Sequence, residues 1–144
     1  MPGAQPPSPP PLDDLTYTPV PGSVRLARRR TIRLLTEQGW DEEAVYDAAL
    51  IVSELASNVL RHLPGEPFRL MLGLCGDEGA VRIEVTDSGW ECLPRIIRAQ
   101  SGERYGGRGL QLVETVSMEW GVTVNKSTFT KAVWAVVAAK QLAG

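Results

Sequence analysis

One histidine and two cysteines are too few to build a metal centre, and His62, Cys75 and Cys92 form no ligand spacing with one another. The same scarcity excludes a disulfide scaffold. It fits a reduced, cytoplasmic setting in which both thiols are packing residues. No apolar run approaches the ~20 residues that span a bilayer, so no membrane partner is expected. The N-terminus lacks the charged-then-apolar pattern of a secretory signal. Excess charge of one sign is also missing: 15 basic residues face 17 acidic ones, which argues against a dedicated nucleic-acid binder. The phosphate loop Gly-x-x-x-x-Gly-Lys-Ser/Thr does not occur, because Trp120 and Asn125 hold the glycine positions before Lys126-Ser127. Gly107-x-Gly109-x-x-Leu112 lacks its third small residue and does not directly follow a strand, which disfavours a dinucleotide fold.

What is present begins with proline. Six prolines fall between Met1 and Pro11, so residues 1–13 read as a disordered Pro-rich tail and residues 14–144 as one domain with one core. Leu15–Val20 is an edge-strand candidate, bounded by Pro19 and Pro21. Ser23 is expected to cap a helix to about Gln38, with Val24, Ala27, Thr31 and Leu34 inward. Arg25, Arg28, Arg29, Arg30 and Arg33 then form a basic outer face. Asp41 should cap a second helix whose apolar stripe is Val45, Ala48, Val52, Leu55, Val59 and Leu63. Phe68–Cys75 and Ala80–Thr86 alternate apolar and polar residues around a turn at 76–79, an antiparallel hairpin. Trp90–Gly106 reads as a long loop and Leu110 to about Ser117 as a third helix. Trp120–Asn125 and Thr130–Ala139 form a second hairpin, and Val133–Ala139 is apolar on both faces, as in a central strand covered on each side or by a partner. This order predicts an α/β (α+β) two-layer sandwich with a mixed or antiparallel sheet and helices on one face.

Three short stretches carry chemistry. Glu54 and Asn58 lie one helical turn apart, with His62 a turn further, on a line beside the apolar stripe. A carboxylate and a carboxamide at the core's margin offer hard oxygens to Mg²⁺. Asp87-Ser88-Gly89 ends a strand with a carboxylate, and Gly89 keeps the backbone clear for a flat ring. An ionised carboxylate only accepts hydrogen bonds, so it would select an amino-bearing edge such as adenine's. Gly106-Gly107-Arg108-Gly109 precedes a helix and would present backbone N–H groups to an anion, with Arg108 adding charge.

Glu54-Leu55-Ala56-Ser57-Asn58 with His62, Asp87-x-Gly89, and Gly107 to Glu114 resemble, in order, the asparagine box and the two glycine boxes of the GHKL ATPase superfamily. Within it the chain is most similar to small anti-sigma-factor serine kinases and single-domain ATP-binding regulators, over Leu15–Ala139. The resemblance implies a Bergerat ATP-binding fold with ATP and Mg²⁺ as cofactors. Asn58 would bind Mg²⁺, Glu54 would be the catalytic residue that orients or deprotonates the attacking hydroxyl, and Asp87 would accept from the adenine amino group. Gly89 would line the ring, Gly107 to Leu110 would wrap the phosphates, and Glu91–Gly106 would form the lid. Where the family has a second glycine this chain has Glu91, beside the bulky Trp90. A Thr that supports the adenine falls at Ala132, with Thr130 as its stand-in. The implied function is a regulator with serine/threonine kinase activity toward an anti-anti-sigma (STAS-type) antagonist, holding a sigma factor and pairing as a homodimer. The alternative is a catalytically inactive module that binds a protein partner.

Overall fold

The computed structural model describes residues 11–76, 79–92 and 108–139. Strand β1 spans Pro11–Tyr17, helix α1 Pro21–Glu37 and helix α2 Glu42–His62. Strand β2 spans Phe68–Cys75, strand β3 Ala80–Asp87, helix α3 Arg108–Val116, strand β4 Glu119–Asn125 and strand β5 Thr130–Ala138. The strands form one five-stranded sheet in the order β1-β2-β3-β5-β4, and all four neighbouring pairs are antiparallel. The expected α/β two-layer sandwich is present, with no parallel pair among these strands.

Register explains the core. Leu70, Val85 and Val133 align across three strands, as do Leu72, Ile83 and Ala135, and each is buried. Side chains alternate between sheet faces along a strand, so these rows make one apolar face. Helix α2 covers it with Val45, Ala48, Val52, Leu55 and Val59, joined by Ala44, Ala49, Ile51 and Ala56. The extra residues widen the stripe because α2 also packs against α1 and α3. Each buried Val, Leu or Ile contributes roughly 1.5–3 kcal/mol.

Several boundaries differ from the sequence reading. Pro11, Leu12 and Asp13, assigned there to the tail, open β1, and the strand stops at Tyr17 instead of Val20. Asp13 is held by Arg30, whose Nε and Nη2 donate at 2.7 and 2.9 Å to its carboxylate, so one arginine of the basic face turns back onto the sheet. Ser23 does not cap α1. Val20 occupies that position without a side-chain bond, Pro21 begins the helix, and the buried Ser23 hydroxyl lies 3.0 Å from Thr18 Oγ1. Proline fits a first turn, where its missing N–H leaves no helical bond unmade. Asp41 is the N-cap of α2 by position, but its side chain makes no capping bond.

Strand β5, an inner strand next to the edge strand β4, is covered differently on its two sides. Val133, Ala135 and Val137 face the helices. On the outer side Trp134 is half-buried beneath Arg82, whose guanidinium carbon lies 4.4 Å from the ring centroid. A guanidinium over an indole covers apolar surface while keeping its charge at the solvent boundary.

Candidate functional site

The end of β3 and the last turn of α2 meet. Asp87 is the final residue of β3 and is 5% exposed. Its Oδ1 accepts the Gly89 N–H at 2.7 Å, a turn that closes the strand end. Gly89 is buried, and a Cβ there would lie 2.5 Å from Leu63 Cδ1 and 3.0 Å from Asp87 Oδ1. A larger residue there would have to push the end of the Leu63 side chain aside. Leu63 is the C-cap of α2, so the helix carrying Glu54, Asn58 and His62 ends directly against the Asp87 turn.

Glu54 and Asn58 are half-buried, as their place beside the stripe predicts. Asn58 Oδ1 accepts from Arg61 Nη1 at 3.0 Å, which places a guanidinium on the same turn. Arg61 also complements the partial negative charge at the helix C-terminus. His62 is half-buried. Among the described residues no three His, Cys, Asp or Glu side chains group as a metal site. The hard oxygens of Asn58 and Glu54 are of the donor type that Mg²⁺ takes.

Helix α3 starts at Arg108 and Gly109, and its Leu110 and Val113 are buried in the core, where α3 packs on α2. The segment predicted to hold phosphates therefore leads into a helix that touches the Glu54–Asn58 helix. Gly106, Gly107 and most of the predicted lid, residues 93–106, lie outside the described residues. At the lid's start Trp90, Glu91 and Cys92 form a short 3₁₀ turn, and the Trp90 ring lies 5.9 Å from that of Phe129.

Two residues enter the site that the sequence reading did not place there. Lys131 is the register partner of Asp87, and its Nζ lies 3.3 Å from Asp87 Oδ1, with side-chain exposures of 5% and 2%. Alternation sets Lys131 on the same face as Val133, Ala135 and Val137, so its inward parity is the signal that could have found it. By the same alternation Thr130 and Ala132 lie on the other face. The Thr130 hydroxyl is 2.6 Å from Thr128 Oγ1, and the structure does not bring Thr130 to Asp87. Leu63, read as the last residue of the core stripe, is the second addition.

The chain was compared with known proteins. A search of the curated proteins finds no match. Among solved structures it is similar to a crystal structure of the RsbU and RsbW domains of Rv1364c from Mycobacterium tuberculosis, with a TM-score of 0.63 and 19% identity. That likeness takes in 90% of this chain but 32% of the other, and it establishes the shared fold. No helix among the described residues is long and apolar enough to cross a membrane. The family model described as Histidine kinase-like ATPase domain matches residues 17–134, from the end of β1 to the middle of β5. With α2, the Asp87 turn and α3 all inside that match, the chain belongs to the family of histidine kinase-like ATPase domains.

Proposed function

We propose that the protein is an ATP-binding regulator of the anti-sigma-factor kind, with serine/threonine kinase activity toward an anti-anti-sigma (STAS-type) antagonist. One observation carries this reading: a buried carboxylate, Asp87, at a strand end, with Gly89 and the last turn of the Glu54–Asn58 helix packed against it. Asp87 accepts from the adenine amino group, and Gly89 leaves room for the ring. Asn58 supplies an oxygen to Mg²⁺, which when bound neutralises phosphate charge. Arg61, on the same turn as Asn58, adds positive charge near the metal and phosphates, and Arg108 in the glycine box supplies a second guanidinium to the anion by its place in the sequence. Gly106, Gly107, Gly109 and Leu110 supply backbone N–H groups at the start of α3.

In the transfer the partner's serine oxygen bonds to the γ-phosphorus, and the bond to the terminal ADP oxygen breaks. The hydroxyl proton passes to Glu54, leaving phosphoserine and ADP. The partner set is a sigma factor and its antagonist. The protein acts in the cytoplasm without direct nucleic-acid or membrane contact, and it pairs as a homodimer.

A second reading, a catalytically inactive module that holds a protein partner, draws support from Lys131 against Asp87 and Leu63 over Gly89, both standing where a base would lie. Calorimetry separates the two. Micromolar Mg-ATP binding that Asn58→Ala abolishes, with Glu54-dependent phosphoserine on the antagonist, supports the first. No heat from Mg-ATP at millimolar concentration leaves the second.

A further inference from the structure

Lys131 is the feature that the nucleotide reading does not use. The other inward residues of β5 are Val133, Ala135 and Val137, and a fourth apolar side chain would complete the row. Replacing a buried ion pair by apolar residues is often neutral or stabilising, so packing alone gives no reason for an ammonium here. Its nearest recorded partner is the carboxylate that would read the base.

We propose that Lys131 is a specificity-determining residue of the nucleotide pocket: with Asp87 it forms a donor–acceptor pair that accepts 6-oxo purines as well as adenine. The inference rests on the nucleotide-site reading above. A carboxylate alone offers only acceptors. It suits adenine's amino group and repels the carbonyl oxygen that guanine and hypoxanthine carry at the same ring position. An ammonium 3.3 Å away changes the match, because it carries three N–H donors and no acceptor. With adenine, Asp87 takes the amino group and Lys131 donates to the adjacent ring nitrogen. A 6-oxo purine reverses the order along that edge, so the base shifts until Lys131 donates to the carbonyl and Asp87 accepts the adjacent ring N–H. Either purine leaves both charges partnered, which a buried pair requires.

Leu63 lies over Gly89, two residues after Asp87. Leu63 has left the helical conformation, with φ −131° and ψ 63°, and it is half-buried, so its side chain is the one that a ring at Gly89 displaces.

The test is binding of Mg-ATP and Mg-inosine triphosphate to the full chain by calorimetry. The unmodified protein should bind both within about tenfold of each other, whereas Lys131→Met should disfavour inosine triphosphate by a further tenfold or more, about one unpaired buried polar group. Lys131→Arg, which keeps a donor, should restore the ratio. A merely structural lysine would weaken both nucleotides alike and leave the ratio unmoved, which overturns the proposal. So does a strong preference of the unmodified protein for ATP, on the order of a hundredfold, a result that needs no variant to fold. No binding of either nucleotide by the unmodified protein overturns the ATP-site reading itself. Binding with an unchanged ratio overturns only the role given to Lys131.

Discussion

The edge of the sheet and its interior handle charge in opposite ways. At β1, Arg30 and Arg69 meet Asp13 and Asp14 in paired hydrogen bonds of 2.6 to 2.9 Å, yet the arginine side chains remain 36% and 51% exposed. At the ends of β3 and β5, Lys131 meets Asp87 through one looser contact of 3.3 Å, with both side chains nearly sealed from solvent. The better geometry is therefore found where solvent screens it most. The open Asp14–Arg69 pair contributes little, while the Lys131–Asp87 pair, like the buried Asp13 carboxylate under Arg30, makes each partner depend on the other. Around Arg30 an open groove is lined by Leu15, Tyr17, Leu26, Arg29 and Arg33.

Breaking the buried pair should have the largest effect. Lys131→Met leaves the buried Asp87 carboxyl without its cation, and should destabilise the fold by about 3–5 kcal/mol in urea unfolding. The double change Asp87→Asn with Lys131→Met should recover most of that loss. A single variant as stable as the unmodified protein would mean that water reaches the pair in solution.

Gly89 tests the same end through shape. Gly89→Ala forces Leu63 or the Asp87 turn to move and should cost about 1–3 kcal/mol. Adding Leu63→Ala should remove part of that strain, and strictly additive losses in the double variant would show that the two residues do not touch.

The edge pair should give the smallest effect. Asp14→Asn should cost less than about 1 kcal/mol. Hydrogen bonds from Arg69 hold the Asp14 carboxyl below its usual range. A folded pKa below the unfolded one gives stability that is present above the unfolded value and lost as pH falls through the folded value. The variant should flatten that acid limb of the stability curve, and the difference should shrink in high salt.

Most of the architecture was legible because it rests on periodicity. The 3.6-residue stripe from Val45 to Val59 and the alternation through Phe68–Leu72 and Val81–Val85 each state which side is inward. Boundaries were harder. Ser23 looks like a cap by residue type, yet Pro21 starts the helix two residues sooner and turns the serine inward. Asp13 was hidden in a proline-rich context because its partner, Arg30, lies 17 residues away, on an apparently solvated face. At the site, Asp87 and Gly89 were visible because a turn is local. Lys131 was not, since the pairing that brings it to Asp87 links two strands distant in sequence. The family's threonine suggested Thr130 or Ala132, but the pleat sends both to the far side.

Gly121 has a consequence for how the sheet meets its surroundings. A Cβ there would stand 2.8 Å from Trp134 Cζ2, so the indole lies flat across β4 only because that strand omits one methyl group. Any residue larger than glycine at position 121 would lever the ring outward, part it from its cation and bare the oily ribbon of β5 beside an unpaired β-edge. The seat of the Trp134 ring thus depends on an atom that the chain leaves out.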